Sequence, residues 1–198
     1  MSANTYLTPK ERAVLESARI GIAGAGGLGS NCAMHLVRAG VTHLTVVDFD
    51  VVNESNLNRQ FFFRDQIGQK KVEALKENLL RIEPDVDIKA VDLRLATAST
   101  RSVFADCAIV VEAFDVVDAK AMILAALVGS GKKLVTASGL AGWGHSNAMK
   151  VRKMGSIVAI GDGETSVGKG VAPVSPRVGI AAAMEANAVV SLLLGCEL

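Results

Sequence analysis

The chain has 198 residues, 50% hydrophobic and 21% charged, a balance that can bury a core and excludes a disordered segment. With 21 basic against 20 acidic residues the net charge is +1, which excludes binding to nucleic acid or an acidic membrane by bulk charge. The 19 glycines exceed the roughly 14 expected at average usage, and their placement carries information.

Thr8-Pro9-Lys10-Glu11 has the form of a capping box with proline at the first helical position, so a helix is predicted over 9–18. Arg19–Gly24 is a short apolar run entering a glycine cluster, which predicts a buried strand. Leu28, Cys32 and Leu36 recur every four residues and predict a helix over 27–39, stopped by Gly40. His43–Asp48 is the second strand of a βαβ unit. Residues 49–64 show no period. Val72, Leu75, Leu79 and Ile82 share a helical face that ends before Pro84. Val86–Leu93 alternates as a strand, and Cys107–Phe114 is a near-continuous apolar strand of the kind covered on both faces. Ala119–Val128 is helical and Lys133–Ala137 is another strand. Met149–Val151 and Ile157–Ile160 predict an antiparallel hairpin, Gly161–Val174 a mobile loop, and Pro176–Leu194 a final apolar helix.

The expected fold is α/β: a Rossmann-like, mainly parallel sheet with helices on both faces and a C-terminal antiparallel hairpin. One domain is expected over 1–198, divided into an N-terminal helix (1–18), a nucleotide-binding core (19–138) and a remainder with hairpin, flexible loop and C-terminal helix (139–198). The N-terminus lacks an apolar leader run. No stretch reaches about 18 uninterrupted apolar residues; Val178–Leu194 is broken by Glu185, Asn187 and Ser191. A cytoplasmic protein with no membrane partner is expected. Cys32, Cys107 and Cys196 form no CxxC pair, so neither a disulfide framework nor a structural zinc is expected.

Gly24-Ala25-Gly26-Gly27-Leu28-Gly29 matches GxGxxG where the mechanism needs it, after a strand and opening a helix. Backbone can approach phosphate there, and the helix N-terminus presents free N–H groups and partial positive charge. Asp48 ends the second strand, where a carboxylate can accept hydrogen bonds from ribose hydroxyls. The motif alone favours NAD. Beyond it, Asp48–Gln60 is dense in polar groups at the carboxyl end of a parallel strand, where ligands bind in such sheets. Arg59 could fork onto phosphate oxygens and Lys71 could bring a point charge. Asp115 follows a buried strand, and a carboxylate there suits Mg²⁺, which shares its oxygen ligands with phosphate. Each residue has a plainer reading. Arg59 and Lys71 could be solvated surface charges, Asp115 a helix cap, and Asp50 and Asn56 turn residues. The set points to a triphosphate.

GAGGLGSN, VVDFDVVNESNLNRQ, GQKKVEALKENL and VEAFDVVDAK resemble the ThiF/MoeB/ubiquitin-activating (E1-like) adenylyltransferase superfamily, over about residues 17 to 138. ASGLAGWG, GDGET and PRVGIAAAMEAN are similar to the short ThiF group, the sulfur-carrier adenylyltransferases associated with thiamine synthesis. The resemblance implies an enzyme that binds ATP and Mg²⁺ and adenylates the C-terminal Gly-Gly carboxylate of a ubiquitin-like sulfur carrier. It implies that Gly24, Gly26, Gly27 and Gly29 lie against the nucleotide and that Asp48 takes the ribose hydroxyls. Arg59 and Lys71 then bind the triphosphate with Asn56 and Asp50 beside them, and Asp115 holds the metal. A homodimer is implied, with no nucleic-acid partner.

Several departures stand beside the match. The zinc-binding CxxC pairs of many relatives are missing. Cys32 and Cys107 read as ordinary buried thiols, so no thioester step is expected. Arg12 lies where relatives carry an RYxRQ-like segment that reaches a partner's ATP, but the motif differs. Trp143 and His145 could serve core packing, dimer packing or a channel for the carrier's tail. The alternatives are activation of a small-molecule or tRNA-linked carboxylate, a nicotinamide oxidoreductase, and a non-catalytic nucleotide-binding partner.

Overall fold

The computed structural model describes residues 6–165 and 171–198. Its strands are β1 (Arg19–Ala23), β2 (His43–Asp48), β3 (Asp87–Asp92), β4 (Ile109–Glu112), β5 (Lys133–Ala137), β6 (Lys150–Met154) and β7 (Ile157–Gly161). Its helices are α1 (Pro9–Ser17), α2 (Gly27–Ala39), α3 (Lys71–Leu80), α4 (Thr97–Val103), α5 (Val117–Leu127) and α6 (Ser175–Leu194). The strands form one seven-stranded sheet in the order β3-β2-β1-β4-β5-β7-β6. Every pairing is parallel except β6 with β7. The expected α/β architecture, its parallel core and its terminal hairpin are all present.

Alternating side chains divide the core between the two faces of the sheet. Ile20, Ile22, Leu44 and Val46 point to one face, where Leu28, Cys32 and Leu36 of α2, Leu75 and Leu79 of α3, and Ala181 and Val189 of α6 cover them. Ala23, Val47, Val110 and Leu134 point to the other, against Phe104 and the Ile123, Ala126 and Leu127 stripe of α5. Burial on both faces explains why these strands read as continuous apolar runs.

The helix signals act as the sequence suggests. Thr8 and Glu11 close a reciprocal capping box on α1, with Thr8 N–H donating to Glu11 Oε2 at 2.8 Å. Gly40 ends α2 in a left-handed conformation, φ 104°.

Several boundaries differ. The strand expected over 107–114 spans only Ile109–Glu112, and Cys107 lies buried just before it. α4 was not anticipated, because TASTRSV has no apolar period. β6 runs through Met154, past the expected Val151. All five of its residues are exposed, so no burial rhythm marks it. Gly161 belongs to β7, and residues 166–170 of the expected mobile loop lie outside the described residues. α6 does meet the length and hydropathy criteria for a membrane span, with mean hydropathy 1.5. Here it packs against α2 and β5, with Arg177 and Glu185 buried along it.

Candidate functional site

The strand order reverses between β1 and β4, and in parallel sheets the crevice at the carboxyl ends of two such strands is the ligand site. Gly24 leaves β1 at that point. Its N–H donates to Val47 O at 2.8 Å and its φ of 99° suits glycine. Gly26 caps α2, which opens at Gly27 with no side chain occupying its first N–H groups. A Cβ on Gly29 would lie 1.8 Å from Gly24 O, so only glycine lets the helix close onto the loop. Phe114, two residues beyond β4, packs against Gly24, 3.3 Å from where a Cβ would stand.

Asp48 ties the loop to the next segment. Its Oδ2 accepts from Ala25 N–H at 2.6 Å and its Oδ1 from Asp50 N–H at 2.8 Å. Each oxygen keeps a second lone pair that a ribose hydroxyl could use. Asp50 then reaches α3: Lys71 Nζ donates to Asp50 Oδ2 at 2.8 Å, and the Lys71 N–H donates to Asp50 O at 2.9 Å. Lys71 is only 6% exposed, so it is not a solvated surface charge. Its ammonium has three donors, of which Asp50 takes one.

Asn56 sits in a 3-10 turn. Its Oδ1 accepts from Asn53 N–H at 2.9 Å, and its carbonyl accepts from the N–H groups of Arg59 and Gln60. The turn residue is therefore what places Arg59. The Arg59 stem lies against Gly27, its Cγ 3.4 Å from where a Cβ would stand. Its Nη1 donates to Ser55 O and Asn58 Oδ1 at 3.2 and 2.7 Å. Asp115 is exposed beyond β4, and its carboxylate has no hydrogen-bond partner among the described residues. It does not cap α5; Val116 holds that position.

The structure thus brings together the glycine loop, Asp48, Asp50, Lys71 and Arg59 through direct contacts. Asp115 joins them through Phe114, and Asn56 through the backbone it pins. No group of three His, Cys, Asp or Glu side chains could hold a metal ion among the described residues. A cation at Asp115 would draw on phosphate oxygens, the usual arrangement for Mg²⁺.

Several supporting residues escaped the sequence reading. Ser30 Oγ donates to Gly26 O and accepts from Phe61 N–H, and Asn31 Nδ2 donates to Gly27 O and Arg59 O, locking the Arg59 segment onto α2. Both lie inside GAGGLGSN, where polar residues on an otherwise buried helix face were the available signal. Glu112, fully buried, accepts from Lys120, Thr136 and the Phe114 N–H. Arg177 pairs with Asp162 and donates to Gly144 O at 2.7 Å, tying α6 to the loops after β5 and β7. Burial opposes ionisation of Asp162. The N–H groups of Thr165 and Glu164, the Thr165 hydroxyl and Arg177 outweigh it and hold the carboxyl below its ordinary range.

Trp143 is 71% exposed, so it is not core, and His145 beside it adopts a left-handed backbone. Arg12 is half-buried on α1. Cys32 is fully buried, and burial first and Glu185 second push its thiol well above the ordinary value, while Cys196 is exposed.

Known proteins resemble this chain in sequence and in fold. The chain is 36% identical over 142 residues to the adenylyltransferase and sulfurtransferase UBA4 of Candida glabrata, covering 71% of this chain and 33% of that protein. It is 40% identical over 102 residues to the molybdopterin-synthase adenylyltransferase of Salmonella typhimurium, covering 51% and 41%. The chain therefore spans about a third of the UBA4 relative it matches. Among solved structures, E. coli tRNA N6-threonylcarbamoyladenosine dehydratase TcdA in complex with AMP superposes with a TM-score of 0.88 at 21% identity, over 98% of this chain and 92% of that one. That likeness confirms the Rossmann-like fold. A scan of protein families matches residues 3–198 to one of them, and by that match the chain belongs to the ThiF family.

Proposed function

We propose that this chain is an ATP-dependent adenylyltransferase that activates the C-terminal Gly-Gly carboxylate of a ubiquitin-like sulfur carrier. The observation that carries the reading is the chain of contacts from Ala25 through Asp48 and Asp50 to the buried ammonium of Lys71. It sets a cation beside a phosphate-facing glycine loop, a need that a triphosphate has and a nicotinamide cofactor lacks. The names of the two curated relatives support adenylyl transfer.

In this reading the carrier's tail carboxylate, already ionised at neutral pH, attacks the α-phosphorus of ATP. The new carboxyl oxygen–phosphorus bond forms as the α–β bridging bond breaks, giving an acyl adenylate and pyrophosphate. Asp48 orients the ribose. Gly24–Gly29 and the α2 N-terminus hold phosphate oxygens. Arg59 and Lys71 neutralise the charge that grows on the leaving pyrophosphate, with Asn56 and Asp50 fixing their positions. Mg²⁺, when bound, would offset phosphate charge, and Asp115 is the side chain that would hold it.

The test mixes the protein with MgATP, labelled pyrophosphate and carriers ending in Gly-Gly, from thiamine and from molybdopterin synthesis. Carrier-dependent exchange of label into ATP supports the reading, and the carrier that works identifies the pathway. No exchange with any carrier, together with binding of NAD, sinks it. A second reading, activation of a tRNA-linked carboxylate, has one observation in its favour: β6 exposes Lys150, Arg152 and Lys153. Exchange that depends on tRNA instead of a carrier would select it.

A further inference from the structure

Glu112 ends β4 three residues before Asp115 and is wholly buried. Its Oε1 accepts from the Phe114 N–H at 2.7 Å and from Lys120 Nζ at 3.1 Å. Its Oε2 accepts from Lys120 Nζ at 2.9 Å and from Thr136 Oγ1. Lys120, one turn into α5, also donates to Ala137 O at 2.9 Å, the last residue of β5. One ion pair therefore ties together the end of β4, the start of α5 and the end of β5. The two chain segments that leave this knot are the turn carrying Asp115 and the loop carrying Gly139 and Trp143.

A buried ion pair is a poor way to gain stability, because desolvation cancels most of the attraction and an apolar pair of similar volume often serves as well. Its advantage is direction: each oxygen fixes a donor at one angle and distance. Here the fixed donor that matters is the Phe114 N–H. Phe114 also touches the glycine loop at Gly24, so its backbone sets how far Asp115 stands from the phosphate-facing loop.

We propose that Glu112 and Lys120 are positioning residues, a clasp that holds Asp115 at the distance from the glycine loop at which one carboxylate and the nucleotide phosphates can share a metal ion. This rests on the nucleotide-binding reading above, but its test does not require a carrier. The variant is Glu112→Met with Lys120→Met, which removes both charges at near-constant volume. Two quantities are measured on the full chain. One is hydrogen exchange at the Phe114 amide. The other is the ratio of affinities for MgATP and metal-free ATP, by calorimetry.

The double variant is expected to unfold cooperatively, to exchange the Phe114 amide about tenfold faster, and to lose about tenfold in the MgATP preference. Affinity for metal-free ATP should hold, which a merely stabilising role would not single out. Lys120→Arg alone, which keeps a charged donor for Glu112, should retain much of the preference. A folded double variant with an unchanged Phe114 amide or an unchanged MgATP preference overturns the proposal. Should the double variant fail to fold, Thr136→Val, which removes one donor to Glu112 without touching charge, decides in the same two measurements. If the wild-type chain binds no ATP in either form, the functional reading fails, and the Phe114 amide alone then judges the clasp.

Discussion

Lys71 and Asp50 are joined twice, by an ammonium–carboxylate contact of 2.8 Å and by a backbone hydrogen bond of 2.9 Å. The arrangement is lopsided: the Lys71 side chain is 8% exposed and that of Asp50 49%. Water can therefore hydrate Asp50 if the lysine is lost. Lys71→Met should leave the melting temperature nearly unchanged yet lower carrier-dependent exchange by about a hundredfold or more, as loss of a transition-state donor does. Activity within threefold of wild type would remove Lys71 from the triphosphate site.

Asp48 accepts two backbone N–H groups from two different loops. Asn in its place offers one oxygen and turns an NH₂ toward a second N–H donor. Asp48→Asn should cost about 1–3 kcal/mol in unfolding free energy, read by chemical denaturation, and about tenfold in MgATP affinity at the loss of one charged contact. A variant that loses neither shows that the loops are held without this carboxylate.

These two residues could be found in the sequence because they stand in polar surroundings at the edges of elements that apolar rhythm had already marked, Asp48 at the end of β2 and Lys71 at the start of α3. Glu112, Lys120 and Glu185 could not. Glu112 and Glu185 are single charges inside apolar stretches and Lys120 is one of several charges where a helix starts, and what each does depends on partners brought near only by the fold: Thr136 is 24 residues from Glu112 in the chain. The same limit hid the extent of β6 beyond Val151, where the side chains are all exposed, and the Asp162–Arg177 pair, which joins a loop to a helix across 15 residues. Rhythm reports burial; it does not report which buried charge meets which.

The glycines of the loop differ in what they tolerate. A methyl at Gly29 meets Gly24 O at 1.8 Å, and backbone must move. A methyl at Gly26 meets nothing nearer than Gln60 Nε2 at 3.9 Å. Gly29→Ala should lose about 1–3 kcal/mol or more. Gly26→Ala should stay within about 0.5 kcal/mol of wild type in stability while weakening nucleotide binding. Thermal denaturation with and without ATP separates the two; equal destabilisation would contradict the loop geometry.

Arg177 is 4% exposed and Asp162 8%, so Arg177→Met removes the charge partner of a carboxylate that keeps its bonds from the Glu164 and Thr165 N–H groups and the Thr165 hydroxyl. A loss of about 1–3 kcal/mol is expected. Asp162 titrates below its ordinary range when folded, so the pair's contribution is present above the unfolded pKa and fades as pH falls through the folded one. The gap between wild type and variant should be constant from about pH 7 to about pH 5 and narrow only below about pH 4. Denaturation curves across that range check it, and a gap that narrows near neutrality would assign the effect elsewhere.

Glu185 works in the opposite sense. It is fully buried on α6, and neither carboxyl oxygen has a hydrogen-bond partner among the described residues. Burial first, and the charge of Glu112 second, push its pKa well above the ordinary value against a pull from Lys120. The folded chain thus keeps a proton that the unfolded chain releases above about pH 4.3. Between those two pKa values the native state binds more protons, so Glu185 makes stability fall as pH rises, by up to about 1.4 kcal/mol per pH unit. Glu185→Gln keeps the neutral shape and removes that slope. The variant should match wild type within about 1 kcal/mol near pH 4 and gain on it as pH rises above about pH 5. A difference that stays flat over that interval would mean that Glu185 is already ionised in the fold, and that a partner for its charge forms when the chain is in solution.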